Sequence, residues 1–162
     1  MAMTALPPLD HEAFLRRAFA VAARARSHGN HPFGAILVSA DGAVLMESEN
    51  GFMPARDMTA HAERLLATKA SIELDGKILP SCTLYTSAEP CAMCAGAIYW
   101  TGIGRVVFGL TERRLKTMTG NHAENPTLDL PCRTVFAAGQ RQVEVIGPLL
   151  EDEAAALHVG VW

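Results

Sequence analysis

Two segments that lie far apart in the chain carry the side chains of a metal site. Cys91 and Cys94 are three positions apart on a predicted helix that Pro90 opens, so both sulfurs face the same side of that helix. His61, near the start of another predicted helix, supplies a third ligand of a type that zinc accepts. Because one ion must contact all three side chains, the fold has to bring the two helix starts together.

Apolar periodicity, β-rich runs and interrupting Gly and Pro residues assign the regular elements. The predicted elements are a helix over residues 10–27, strands 33–39 and 43–49, a helix 59–74, a strand 82–87, a helix 91–100, a strand 105–108, a short helix 132–138, a strand 142–146 and a helix from residue 151. Residues 111–131 form the least regular stretch. This alternation predicts an α/β fold, in which helices cover both faces of a mixed sheet and ligands bind where strand ends meet helix starts.

The length, charge and cysteine content of the chain narrow the class of protein. Its 162 residues suit one compact domain, which we expect to span residues 1–162. No apolar run is long enough to cross a bilayer and residues 1–8 contain no secretory leader, so we expect a cytoplasmic protein with free thiols. The net charge of −3 favours a small-molecule substrate over a polyanion.

Glu63 lies two positions after His61, in the first turn of the predicted helix, and is free to avoid the metal. Three protein ligands leave the fourth position of a tetrahedral zinc open, which is typical of catalytic zinc because water there loses a proton near neutral pH. Helix N-termini at both ligand segments favour thiolates and hydroxide. These features predict a hydrolase in which Glu63 carries protons. The alternative is a structural zinc site, normally closed by four ligands.

The two motifs resemble those of a known superfamily. His61-Ala62-Glu63, followed by Pro90-Cys91-Ala92-Met93-Cys94, matches the H-x-E and P-C-x-x-C signature of zinc deaminases, and the chain is identified as a member of the cytidine deaminase superfamily. Residues 84–100 resemble bacterial guanine deaminases, and residues 103–109 resemble bacterial tRNA adenosine deaminases. The resemblance implies a three-layer α/β/α sandwich around a central mixed five-stranded sheet. It also implies one Zn²⁺ per subunit and a homodimer or larger oligomer.

The resemblance also suggests residues that contact a substrate. Asn50 matches an asparagine with which both groups hold the base, although an asparagine before a loop also serves as a cap. Phe33 and Trp100 are candidates for apolar or stacking walls, although each of them, taken individually, suits the core better than a substrate contact. Trp162 ends the chain, where an aromatic residue covers the pocket in relatives such as fungal cytosine deaminase, or packs against the sheet.

Three functions follow, in order of preference. The first is hydrolytic conversion of C–NH2 to C=O on a free guanine-like base, guanine or isocytosine, although bacterial guanine deaminases place an aspartate where this chain has Arg114. The second is a tRNA adenosine-to-inosine deaminase, which would need a basic surface and room for a flipped nucleotide. The third is a catalytically silent zinc-binding module, against which Glu63 and the open metal position argue.

Overall fold

The computed structural model describes Ala5, Leu6 and residues 8–162. Most of the segment 1–8, from which the lack of a leader was inferred, lies outside the described residues. The helices are α1 His11–Ser27, α2 Ala62–Glu73, α3 Ala92–Thr101, α4 Glu112–Thr119, α5 Cys132–Ala137 and α6 Glu151–Ala156, with a 3₁₀ turn at Leu79–Ser81, and the strands are β1 Gly34–Val38, β2 Val44–Glu49, β3 Thr83–Ala88, β4 Arg105–Leu110 and β5 Glu144–Ile146. None of the described helices is long and apolar enough to span a membrane.

The strands form one five-stranded sheet in the order β2-β1-β3-β4-β5. β1 runs antiparallel to both β2 and β3, whereas β3, β4 and β5 are parallel. Gly42 takes a φ of 86° in the turn between β1 and β2, a value that glycine adopts without strain. The sheet is therefore mixed, as the sequence predicts, because one hairpin is joined to crossover units that return through helices.

Two apolar cores lie on opposite faces of the sheet. Side chains alternate along β1, so that Ala35 and Leu37 pack beneath α2, α3 and α5, while Ile36 and Val38 pack beneath α1 and α6. Every residue of β1 is buried, as expected of a strand that helices cover on both faces. The three-layer α/β/α arrangement predicted from the resemblance is confirmed.

Two local predictions differ from the structure. Thr59 does not cap α2; its hydroxyl donates to Asp57 at 2.7 Å, and the N-cap position is occupied by His61. A helix, α4, lies inside the stretch predicted to be irregular, and Thr111 caps it by accepting from Arg114 N. The apolar pattern missed α4 because Leu115 is the one large apolar side chain that it buries. Elsewhere the predicted bounds agree within about two residues, the usual uncertainty of helix ends.

We expect Gly34→Ala to destabilise the fold. A Cβ atom at Gly34 would lie 2.4 Å from the backbone nitrogen of Ala22 and 2.8 Å from the carbonyl oxygen of Ala18, and the backbone of α1 cannot step aside. The loss in the free energy of unfolding should be about 1–3 kcal/mol or more, measured by urea denaturation at a fixed zinc concentration.

The matched control is Gly96→Ala, in the interior of α3. A Cβ atom there meets nothing within 4 Å, so this variant should be neutral or more stable by about 0.5–1 kcal/mol. Equal stability of the two variants would contradict the close approach of α1 to β1.

Candidate active site

The three predicted metal ligands meet at the starts of two packed helices. His61 is the N-cap residue of α2, Cys91 is the N-cap residue of α3, and Cys94 lies in the first turn of α3. Both N-caps have extended backbone geometry, which turns their side chains back toward the helix ends. His61 Nδ1 lies 3.6 Å from the sulfur atoms of both Cys91 and Cys94.

These separations match a tetrahedral zinc site. Zinc binds sulfur and nitrogen at about 2.3 and 2.1 Å, so ligands at the tetrahedral angle should lie about 3.6 Å apart. The three ligand atoms all lie within 4.8 Å of one another, close enough to share one ion. Among the described residues no fourth His, Cys, Asp or Glu joins this cluster. The donor set and its spacing therefore fit a zinc ion with one position left for a small molecule.

The pKa shifts of the two thiols are also consistent with binding of a cation between them. A hydrogen bond from Cys94 lowers the pKa of Cys91 to about 4, whereas sharing a proton with Cys91 raises the pKa of Cys94 well above its usual value. The hydrogen bond with Cys91 raises the pKa of His61. A bound dication would favour the thiolate form of both sulfurs.

Glu63 lies beside the ligands but is held by a different partner. It is 5% exposed, and the Thr86 hydroxyl donates to its Oε1 at 3.0 Å. The Cys94 sulfur lies 3.8 Å from its Oε2. Burial raises the pKa of Glu63, which suits a carboxyl that exchanges protons near neutral pH.

A cavity of about 190 Å³ opens above this cluster. The described residues that line it include five carboxylic acids and neither a lysine nor an arginine: Asp57, Glu63, Glu89, Glu112 and Glu124. Its volume is below the roughly 300–1,000 Å³ of pockets for drug-sized ligands. Such a cavity suits a small ligand that is rich in N–H groups and carries no phosphate.

Of the predicted substrate residues, Asn50 and Phe33 line the cavity and Trp100 does not. Asn50 is 7% exposed, and its Oδ1 accepts from the Phe52 backbone N–H at 3.1 Å. This bond fixes the amide orientation, so that the NH2 group remains to donate to a ligand. Trp100 is 85% exposed at the end of α3, and its ring makes an edge contact with Tyr99. Within its own chain, the expectation that Trp100 forms a pocket wall is wrong.

Sequence analysis missed two buried acids of the cavity. Glu89 accepts from the backbone N–H groups of Glu112 and Cys132, both at 3.0 Å, and so ties the starts of α4 and α5 to the metal segment. Burial and the charges of Cys91 and Glu63 raise the pKa of Glu112 to about 8. Neither acid belongs to the two motifs, although Glu89 stands directly before Pro90.

Arg114 lies outside the cavity. Its guanidinium group pairs with Glu151 at 3.2 Å and with Asp152 at 2.8 Å. The arginine found at the position where bacterial guanine deaminases have an aspartate therefore does not place a positive charge against the ligand.

The C-terminal residue packs against the cavity rim. The Trp162 indole lies 4.6 Å from the His31 ring and 6.3 Å from the Phe33 ring, centroid to centroid, and both of these residues line the cavity. Trp162 Nε1 donates to His158 Nδ1 at 3.0 Å. Burial lowers the pKa of His158 to about 4, so its ring is neutral and able to accept this bond at physiological pH.

Comparison with known proteins supports the assignment of a zinc deaminase site. Residues 8–110 match the family described as the cytidine and deoxycytidylate deaminase zinc-binding region. A probable cytosine deaminase of Schizosaccharomyces pombe is 44% identical over 153 residues, which cover 93% of this chain and 91% of that protein. The guanine deaminase of Bacillus subtilis is 46% identical over 93 residues, which cover 57% of this chain and 59% of that enzyme.

Two solved structures share the fold. A protein crystallised with 2,6-diaminopurine has a TM-score of 0.72 at 26% identity, covering 93% of this chain and 80% of that chain. A structure from studies of A-to-I editing by tRNA deaminases has a TM-score of 0.68 at 28% identity, covering 90% of this chain and 99% of that chain. These likenesses confirm the resemblance predicted from the motifs.

We expect Cys91→Ala and Cys94→Ala to lose zinc. Each removes one of three ligands, so zinc content measured by mass spectrometry should fall from about one ion per chain to near zero, with a lower melting temperature because metal binding is linked to folding. Cys132→Ala is the control, since this buried thiol is outside the cluster and should leave zinc content unchanged. A full zinc complement in either ligand variant would disprove the assignment.

Proposed function

The chain belongs to the zinc-dependent cytidine and deoxycytidylate deaminase family, and on that premise we propose that it hydrolytically deaminates a free nucleobase. The observation that carries this proposal is a three-ligand cluster beside a buried glutamate, at the floor of a small, carboxylate-lined cavity. Zinc bound at His61, Cys91 and Cys94 would supply a nucleophile at neutral pH by acidifying water.

Glu63 moves protons in this scheme. It takes one from the attacking water and gives it to the ring nitrogen beside the reacting carbon, and it then passes the proton of the added hydroxyl to the amino group. Ammonia leaves and a carbonyl group remains, so the net change consumes one water and needs no other co-reactant. The position of Glu63 next to the Cys94 sulfur supports this role.

The Thr86 hydroxyl can hydrogen-bond to Glu63 in either protonation state of that carboxyl. Its hydroxyl lies 3.0 Å from Glu63 Oε1 and 2.8 Å from the carbonyl oxygen of Ala88. A hydroxyl has one hydrogen and two lone pairs, so it can donate to ionised Glu63, or turn to Ala88 and accept from protonated Glu63. Both states that occur in a catalytic cycle are thus hydrogen-bonded.

Asn50 is proposed to orient the base. Because its oxygen is held by the Phe52 N–H, its NH2 group is available to donate to a ring carbonyl or ring nitrogen. A base without that acceptor would leave a buried donor unpaired and bind less well. Phe33, on the cavity wall, is proposed to contact a ring face.

The cavity favours a free base over a nucleotide or RNA. Its acids repel phosphate, and a surface that binds RNA normally provides lysine and arginine contacts to the backbone. The sequence motifs favour a guanine-like base, whereas the Schizosaccharomyces pombe relative is described as a probable cytosine deaminase. Guanine, isocytosine and cytosine all present the amino-substituted edge that this site would act on. The homodimer and the cytoplasmic location stay predictions.

An ammonia-release screen tests the substrate class. Zinc-loaded protein should release ammonia from at least one of guanine, isocytosine, cytosine and adenine, and more slowly or not at all from the nucleosides and from tRNA anticodon stems, since the cavity is small and acidic. Activity on the RNA alone would reverse this order in favour of tRNA editing. Silence on every compound, with zinc bound, would indicate a zinc-binding module without catalysis.

Glu63→Ala should remove turnover and keep the metal. Loss of the proton carrier should lower kcat by about 10²- to 10⁴-fold, while zinc content stays at the wild-type value because Glu63 is outside the ligand cluster. The matched control is Glu73→Ala, an exposed position at the other end of α2, which should retain wild-type kcat. Substantial turnover by purified Glu63→Ala protein would exclude the proton-carrying role.

A further inference from the structure

Glu112 is a buried acid of the cavity to which the scheme above gives no role. It is the first residue of α4 and is 6% exposed. Its backbone N–H donates to Glu89 Oε1 at 3.0 Å, which anchors the start of α4 to the segment that precedes Cys91. The backbone of Glu112 is thus anchored to the segment that leads into the metal ligands.

The Glu112 carboxyl group has no hydrogen-bond or ion-pair partner among the described residues. Across the described part of the chain, no side chain or backbone N–H donates a hydrogen bond to it and no cation pairs with it. Buried carboxyl groups are normally hydrogen-bonded or paired, because burial without a partner is costly. Since Glu112 lines the cavity, its carboxyl group is available to a donor on a ligand bound there.

The other acids of the cavity are already engaged. Both Glu89 oxygens accept backbone N–H groups. Asp57 accepts from the Thr59 hydroxyl, and Glu124 lies 2.8 Å from the ring nitrogen of His31. Glu63 is the proton carrier. Glu112 is therefore the carboxyl that is free to bind a donor on the substrate.

Glu112 lies on the reacting side of the cavity. It lines the same cavity as Cys91 and Glu63, and its backbone N–H is bonded to Glu89, two residues before Cys91. A base whose reacting carbon lies between the metal ligands and Glu63 would have its ring nitrogen beside Glu63, as the proton transfers require. The substituent of that carbon is the amino group, and it has to lie next to this cluster as well.

We propose that Glu112 is a catalytic residue that accepts a hydrogen bond from the amino group being displaced and holds the ammonia as it leaves. This inference rests on the proposed deaminase function. The amino group gains positive charge when Glu63 protonates it. A dication at the three ligands would offset the charges of Cys91 and Glu63 that disfavour ionised Glu112, and the resulting carboxylate stabilises the transition state more than the bound substrate. No proton or bond is transferred to Glu112, and the overall hydrolysis is unchanged.

A change of leaving group tests the contact. Glu112→Gln keeps the size of the side chain and removes its charge, so kcat/KM for the amino-substituted base should fall about 10- to 100-fold, the value of a hydrogen bond to a charged group. A base with a halogen or methoxy group at the same carbon has no N–H to donate, so Glu112→Gln should leave its kcat/KM unchanged. Glu73→Gln, on the exposed end of α2, is the control and should leave both rates unchanged.

A binding measurement gives a readout other than turnover. In a Glu63→Ala background, calorimetry should show that the amino-bearing base binds more tightly than its counterpart with hydrogen at that carbon, and that adding Glu112→Gln removes this preference. Equal loss of rate with both leaving groups, or an unchanged preference, would overturn the role of Glu112. If the wild-type protein deaminates no base, the proposed function fails, and the binding comparison still decides whether Glu112 contacts the amino group.

Discussion

The convergence of three ligand atoms at two helix starts is the constraint on which the rest of the site depends. His61 and Cys91 are both N-cap residues, so each ligand is placed by the first turn of its helix rather than by a loop. α2 and α3 pack on the same face of the sheet and share one apolar core. The ligand distances are therefore fixed by packing, which is why the site has the spacing of a zinc centre before any ion is considered.

The charges around this cluster depend on one another. Five acids line the described cavity and no lysine or arginine is among its lining residues, although Asp57 pairs with Arg64 at 3.5 Å. Burial raises the pKa of both Glu63 and Glu112. A dication at the three ligands is the counter-charge that such an arrangement needs. The same acids discourage anionic ligands and favour donors, so metal binding and the choice of substrate have a common electrostatic basis.

The sequence predicts the metal site and the layers better than the cavity walls. Ligand spacing and apolar periodicity are local patterns, and they correctly predicted the cluster of His61, Cys91 and Cys94 and the order of most strands and helices. Glu112 was missed because it lies on α4, a short polar helix without apolar periodicity. Trp100 was misplaced within its chain because an aromatic residue near a motif does not reveal which side of the helix faces the cavity.

The division between metal site and cavity walls also follows the family match. The matched residues, 8–110, contain the ligand cluster, Glu63 and Asn50, to which we assign the metal, the proton transfers and the orientation of the base. Beyond residue 110 come Glu112, Leu115 and the cavity residues 123–125. A reaction that these relatives share would depend on the metal ligands, Glu63 and Asn50, whereas the residues beyond 110 line the space around the substrate. Relatives described as acting on cytosine and on guanine can therefore share one centre, and this chain's own preference should depend on the residues that follow β4.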